Sequence, residues 1–154
     1  MTAVSVEKLF AKLANELIGL KLSHIWQGHG SAIFLEFGPL KDRLRTDGSP
    51  GNPSGEFNIM IEWNWRIEKS NQVLCGAWCD EQEWPSAFGK LIGLKVKAIS
   101  LFGRLPEISV SLADEYHVLS FMNSKGDPEW ALFDNRNQDR NWISVRNGSL
   151  VVDA

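Results

Sequence analysis

The stretch Glu56 to Glu68 constrains this chain more than any other. Phe57, Ile59, Ile61, Trp63, Trp65 and Ile67 hold every odd position, and every even one but Met60 is charged or an asparagine. Strand side chains alternate between faces, so this period predicts one long β-strand with a buried face and a wet face. Burying six side chains of this size contributes roughly 1.5–3 kcal/mol each before chain entropy is counted. Trp63 and Trp65 both fall on the face expected to be buried.

Around that strand, 154 residues suffice for one domain with a substantial core. A net charge of −3 and a pI near 5.6 are not those of a general nucleic-acid binder, which shows a basic face. No apolar run reaches the ~20 residues needed to cross a bilayer. The first residues lack the basic and apolar regions of a secretory leader. A cytoplasmic location is therefore expected, with Cys75 and Cys79 as free thiols.

Val6, Leu9, Phe10, Leu13, Leu17 and Ile18 follow helical spacing, which predicts an amphipathic helix from Ser5 to Ile18 with Ser5 as cap and Gly19 as stop. Strands are expected over residues 20–27 and 31–37, joined as a hairpin by Gly28-His29-Gly30. Glycines, prolines and charges from Gly38 to Gly55 predict a long irregular loop. A short strand over residues 72–78 follows the organising strand. The acidic run Asp80 to Glu83 precedes a second helix that opens at Trp84-Pro85. Further strands are expected at 95–101, 107–112, 116–121, 129–133, 142–146 and 149–152. The last two close a hairpin over Asn147-Gly148.

Leu17-Ile18-Gly19-Leu20-Lys21-Leu22 recurs as Leu91-Ile92-Gly93-Leu94-Lys95-Val96. Phe10 corresponds to Trp84, Ile25 to Ile99, and Ile33, Leu35 and Phe37 to Ile108, Val110 and Leu112. The expected fold is α+β and β-rich. It is a single domain, 1–154, of two similar halves near 1–79 and 80–154, each a helix followed by an antiparallel meander, sharing one core. Shared helix-capping physics is the alternative source of the likeness.

Taken together, Ile33-Phe34-Leu35-Glu36-Phe37, Trp65-Arg66-Ile67-Glu68, Leu91-Ile92-Gly93, Ile108 to Leu112, Leu119-Ser120-Phe121 and Pro128 to Leu132 resemble small uncharacterised bacterial α+β proteins. Some of these are of immunity-protein type, encoded beside polymorphic toxins. The resemblance implies a non-enzymatic binding protein and transfers no functional residue.

Sites with chemistry are sparse. Cys75-x3-Cys79 and the distant His24 and His29 do not give the tight paired spacing of a zinc site, so no metal or cofactor is expected. No nucleophile elbow and no phosphate loop occurs. Glu62, Arg66 and Glu68 share a wet face, where a solubilising role outweighs acid–base work. The expected function is protein binding, as by an immunity-type inhibitor of a toxin. The alternative is a small-ligand module using an aromatic-lined sheet face. The candidate interaction surface comprises Trp26, Arg43, Arg45, Trp78, Asp80, Glu81 and Glu83, since exposed Trp and Arg anchor interfaces. The expected partner is another protein, not nucleic acid or membrane. An open strand edge would also allow a homodimer.

Overall fold

A computed structural model of the chain describes residues 5–125, 129–137 and 141–153. Residues 126–128 and 138–140, between the strands expected at 116–121, 129–133 and 142–146, lie outside the described residues. The fold is α+β, with two helices and eleven strands among the described residues, the strands in two antiparallel sheets.

Helix α1 (Val6–Leu17) starts where Ser5 Oγ accepts the Lys8 N–H at 3.2 Å. It ends before Gly19, whose φ of 89° suits glycine alone. Its inner side buries Phe10, Leu13, Ala14 and Leu17. The hairpin of β1 (Leu22–Gln27) and β2 (Ile33–Phe37) follows, then the arm from Gly38 to Gly55, then β3 (Phe57–Ile61). The arm is more regular than its composition predicts. Lys41 and Ser54 exchange both backbone hydrogen bonds, at 2.8 and 2.9 Å, and Gly51 N–H donates to Arg43 O at 2.8 Å.

The organising stretch is not one strand. It breaks at Glu62-Trp63-Asn64 into β3 and β4 (Trp65–Lys69), which belong to different sheets. Glu62 N–H still bonds Glu129 O, whereas Asn64 O already accepts from Phe121 N–H. The backbone changes partners within three residues. Period-two patterning counts faces and carries no information about which neighbour a strand pairs with, so it runs through this corner unbroken. Trp63 sits at the corner and is half-exposed, at 48 %. Its expected burial is corrected accordingly, while Trp65 and Ile67 are buried.

After β5 (Gln72–Gly76), one turn of 3-10 helix (Glu81–Glu83) leads into α2 (Trp84–Leu91). Pro85 occupies the first turn of α2, and Trp84, Ala87 and Leu91 are buried. Then come β6 (Val96–Phe102), β7 (Glu107–Leu112), β8 (Tyr116–Ser120), β9 (Trp130–Asp134), β10 (Trp142–Arg146) and β11 (Ser149–Asp153). One sheet runs β1-β2-β3-β9-β10-β11 and the other β5-β4-β8-β7-β6. The strands after β3 thus cross to pair with β8, and those after β8 cross back to pair with β3.

Where the sheets meet, Gly19 N–H bonds Val96 O and Gly93 N–H bonds Leu22 O. Leu22 N–H bonds Leu94 O, and Val96 N–H bonds Leu20 O. Each crossing strand opens on a tryptophan. The Trp65 indole donates to Ser31 O at 2.8 Å and lies edge-on to Trp84; that of Trp130 donates to Pro106 O at 2.9 Å and lies edge-on to Phe10. Both sheets and both helices contribute to one continuous buried cluster.

Candidate interaction surface

At the end of β5 the chain turns sharply. Ala77 N–H still bonds Trp65 O at 3.0 Å, and Cys79 N–H closes the turn on Gly76 O at 3.0 Å. A side chain at Gly76 would press on Trp65 O at 3.2 Å, which keeps the strand close to its neighbour. Trp78 stands on the corner of this turn, 88 % exposed. Its indole N–H nevertheless has a fixed partner, Asn64 Oδ1 at 2.7 Å, and the Asn64 amide in turn donates to Asn123 Oδ1. The ring is presented to solvent in a set orientation, which lowers the ordering cost of binding.

Val73 (60 % exposed), Phe121 (57 %) and Trp63 surround Trp78. Two clefts of about 380 Å³ each flank the ring. The first, lined by Ser31, Trp63, Asn64 and Asn123 among others, carries no charged side chain. The second, lined by Val73, Phe121 and Arg66 among others, is largely apolar, and Arg66 Nε is already paired with Glu68 at 2.8 Å.

The acidic run continues directly from the turn. Asp80 Oδ1 accepts the Gln82 N–H at 3.2 Å and caps the 3-10 turn. Asp80, Glu81 and Glu83 are all exposed, ahead of the positive end of α2. Trp78, Asp80, Glu81 and Glu83 therefore form one neighbourhood.

Trp26, Arg43 and Arg45 are not part of it. Trp26 is half-buried on the outer face of the six-stranded sheet, stacked on Phe34 at 4.1 Å, with its indole N–H on Glu36 Oε2 at 2.9 Å. Arg43 and Arg45 lie exposed on the arm with Leu44, which is 74 % exposed. Among the described residues no hydrogen bond, ring contact or named cleft joins the two groups. Sequence reasoning missed Trp63, Val73 and Phe121. Trp63 follows the buried period, Val73 is a strand residue whose outer face is indistinguishable from an inner one by composition, and Phe121 lies just past the end of β8.

Other chemistry is accounted for locally. His24 Nε2 lies 3.1 Å from Asn52 Oδ1, and His117 Nδ1 lies 2.9 Å from Ser111 Oγ on the opposite face from Val118. That hydroxyl–imidazole pair lines none of the clefts described here. Among the described residues no three of His, Cys, Asp and Glu gather as a metal site. Burial, then the neighbouring Cys79 thiol, pushes Cys75 up to about 11. No helix among the described residues is long and apolar enough to cross a membrane.

Comparison with protein-family models, with curated proteins and with solved structures gave no match.

Proposed function

We propose that this chain is a non-enzymatic protein-binding protein whose partner docks on the surface centred on Trp78. A tryptophan almost wholly in solvent, yet fixed by a hydrogen bond to Asn64, carries the reading. Large, pre-oriented aromatic side chains are the anchors of protein interfaces. The exposed Trp63, Val73 and Phe121 extend the apolar centre, and Asp80, Glu81 and Glu83 supply a charged rim. Within this reading the chain acts as an immunity-type inhibitor of a toxin in the cytoplasm, where its two unbridged thiols would stay reduced.

The test compares the tagged protein with its Trp78→Ala variant as bait in native lysate. A stoichiometric partner retained by the first and lost by the second, at unchanged Tm, supports the reading. Equal capture by both refutes it. Neutralisation of the captured partner's toxicity tests the narrower claim.

A second reading, a small-ligand module, is favoured by the uncharged cleft between Trp63 and Trp78. Its chemistry suits a neutral polyol stacked on the indole. Saturable quenching by neutral sugars, lost in Trp78→Ala, would establish it.

The halves 1–79 and 80–154 are read as a pseudo-repeat. The reciprocal bonds of Gly19 and Gly93, and of Leu22 and Val96, support this. So do the two crossing tryptophans, which bond equivalent turns.

A further inference from the structure

Strand β5 is the last strand of its sheet, and among the described residues no strand pairs with its outer edge. Such an edge offers unpaired backbone N–H and C=O groups as a template for another strand. Natural edges are commonly blunted by lysine or proline. Gln72-Val73-Leu74-Cys75-Gly76 contains neither, and no charge. Its one edge device is the bulge at Leu74, between the Ile67–Cys75 and Glu68–Val73 pairs.

Clefts lie on both faces of this edge. On one face stands Val73, 60 % exposed, at the near wall of the 380 Å³ cleft that runs inward over β4 to Phe121. On the other a cleft of about 370 Å³ runs between β5 and α2, lined by Leu74, Cys75, Gln82, Glu83, Ala87 and Lys90 among others. A chain laid along β5 in extended form would send alternate side chains into the two clefts while its backbone bonded the edge. A helix or a compact ligand would fill one cleft only.

Charge narrows the occupant. Asp80, Glu81 and Glu83 stand exposed beside the edge, Lys90 is the cation facing them from α2, and Arg66 is already paired with Glu68. A second copy would offer β5 itself to the edge, a strand with no charge to answer the acidic residues. A basic strand would complement them.

We propose that β5 receives an extended segment of the partner protein as an added strand, with apolar residues on Val73 alternating with basic residues toward Glu81 and Glu83. This rests on the reading of the Trp78 surface as a protein docking site.

The probe is a blocked eight-residue peptide of alternating valine and lysine, titrated calorimetrically into the full chain. Two controls accompany it: the same peptide N-methylated at every residue, so that whichever edge faces β5 is blocked, and a valine–glutamate peptide. The expected result is saturable binding of the valine–lysine peptide, at least tenfold weaker binding of both controls, and slowed amide exchange in β5. Glu81→Lys with Glu83→Lys should reverse the preference between lysine and glutamate peptides. Equal affinity of the N-methylated peptide overturns strand addition, because methylation removes only backbone bonding; docking at Trp78 would still stand. Failure of the valine–lysine peptide to bind at millimolar concentration overturns it too. So does a dimer that Val73→Lys dissociates, which would give the edge to a second copy. Failure of the docking reading itself shows separately, as capture of a partner indifferent to Trp78→Ala.

Discussion

Replacing Glu36 should unfold this protein more readily than replacing any aromatic on its surface. Glu36 lies on β2 with no exposed surface. Three donors converge on its carboxylate: the Trp26 indole N–H at 2.9 Å, the Gly55 backbone N–H at 3.0 Å, and the Asn58 side-chain amide. They come from β1, the root of the arm and β3, so one side chain ties three segments. Glu36→Ala leaves all three without an acceptor, at ~1–3 kcal/mol for each buried donor. Trp26 is only half-buried and can recover a water, so the expected loss is ~3–5 kcal/mol. Glu36→Gln keeps the shape and one acceptor oxygen but turns an NH2 toward a donor, and should cost ~1–3 kcal/mol. Urea unfolding followed by tryptophan fluorescence and far-UV circular dichroism reads both, with the midpoint moving at constant m-value. A loss below about 1 kcal/mol in Glu36→Ala would refute the argument. Equal losses in the two variants would show that shape, not acceptance, is what the site requires.

Arg136 donates to both oxygens of Asp134 at 2.9 Å and to Glu16 Oε2 at 2.5 Å, linking β9 to α1. Its hydrogen bonds hold Asp134 below the usual carboxylate range, so the pair's stabilisation is present at neutral pH and is lost as pH falls through that lowered value. Arg136→Ala should therefore lower Tm at pH 7 and leave it nearly unchanged near pH 2; an equal drop at both would sink the idea. Because Cys75 is buried and raised to about 11, iodoacetamide at pH 8 should label Cys79 first and reach Cys75 only with unfolding, as mass spectrometry of timed samples would reveal. A methyl group at Gly55 would come within 2.3 Å of Phe37 O, so Gly55→Ala should destabilise by about 3 kcal/mol in the same urea assay, and a neutral result would show that the arm's root can shift.

Much of the fold could be read from local signals. Ser5 and Gly19 bound α1, Pro85 marks the start of α2, and the alternation of Ile108, Val110 and Leu112 gives β7 with its observed limits. These depend on capping, ring geometry and side-chain period, all properties of neighbouring residues. What could not be read was partnership. Nothing local distinguishes β3, which pairs β2 and β9, from β4, which pairs β8 and β5. Hence the period predicts one long strand where there are two, and places Trp63 in the core. Glu36 alternates with the buried Leu35 and Phe37, and only the return of Asn58 and Gly55 from the far side of the arm encloses it. At the candidate surface, Trp78 was legible because it adjoins an acidic run. The Asn64 and Asn123 amides that orient it lie far from it in sequence and carried no signal.

The exchange of strands between the sheets sets a timetable for synthesis. When β4 leaves the ribosome, β5 follows at once, but β8, which pairs with its other edge, lies some 50 residues downstream, a wait of roughly 3–10 s at ordinary rates of elongation. During that interval β3 and β4 each show an unsatisfied edge, and the aromatic residues destined for the interior have no lid. A polypeptide released at its midpoint would be a sticky half-structure, a substrate for chaperones and proteases. The two fragments, supplied together, should find each other and rebuild the native form.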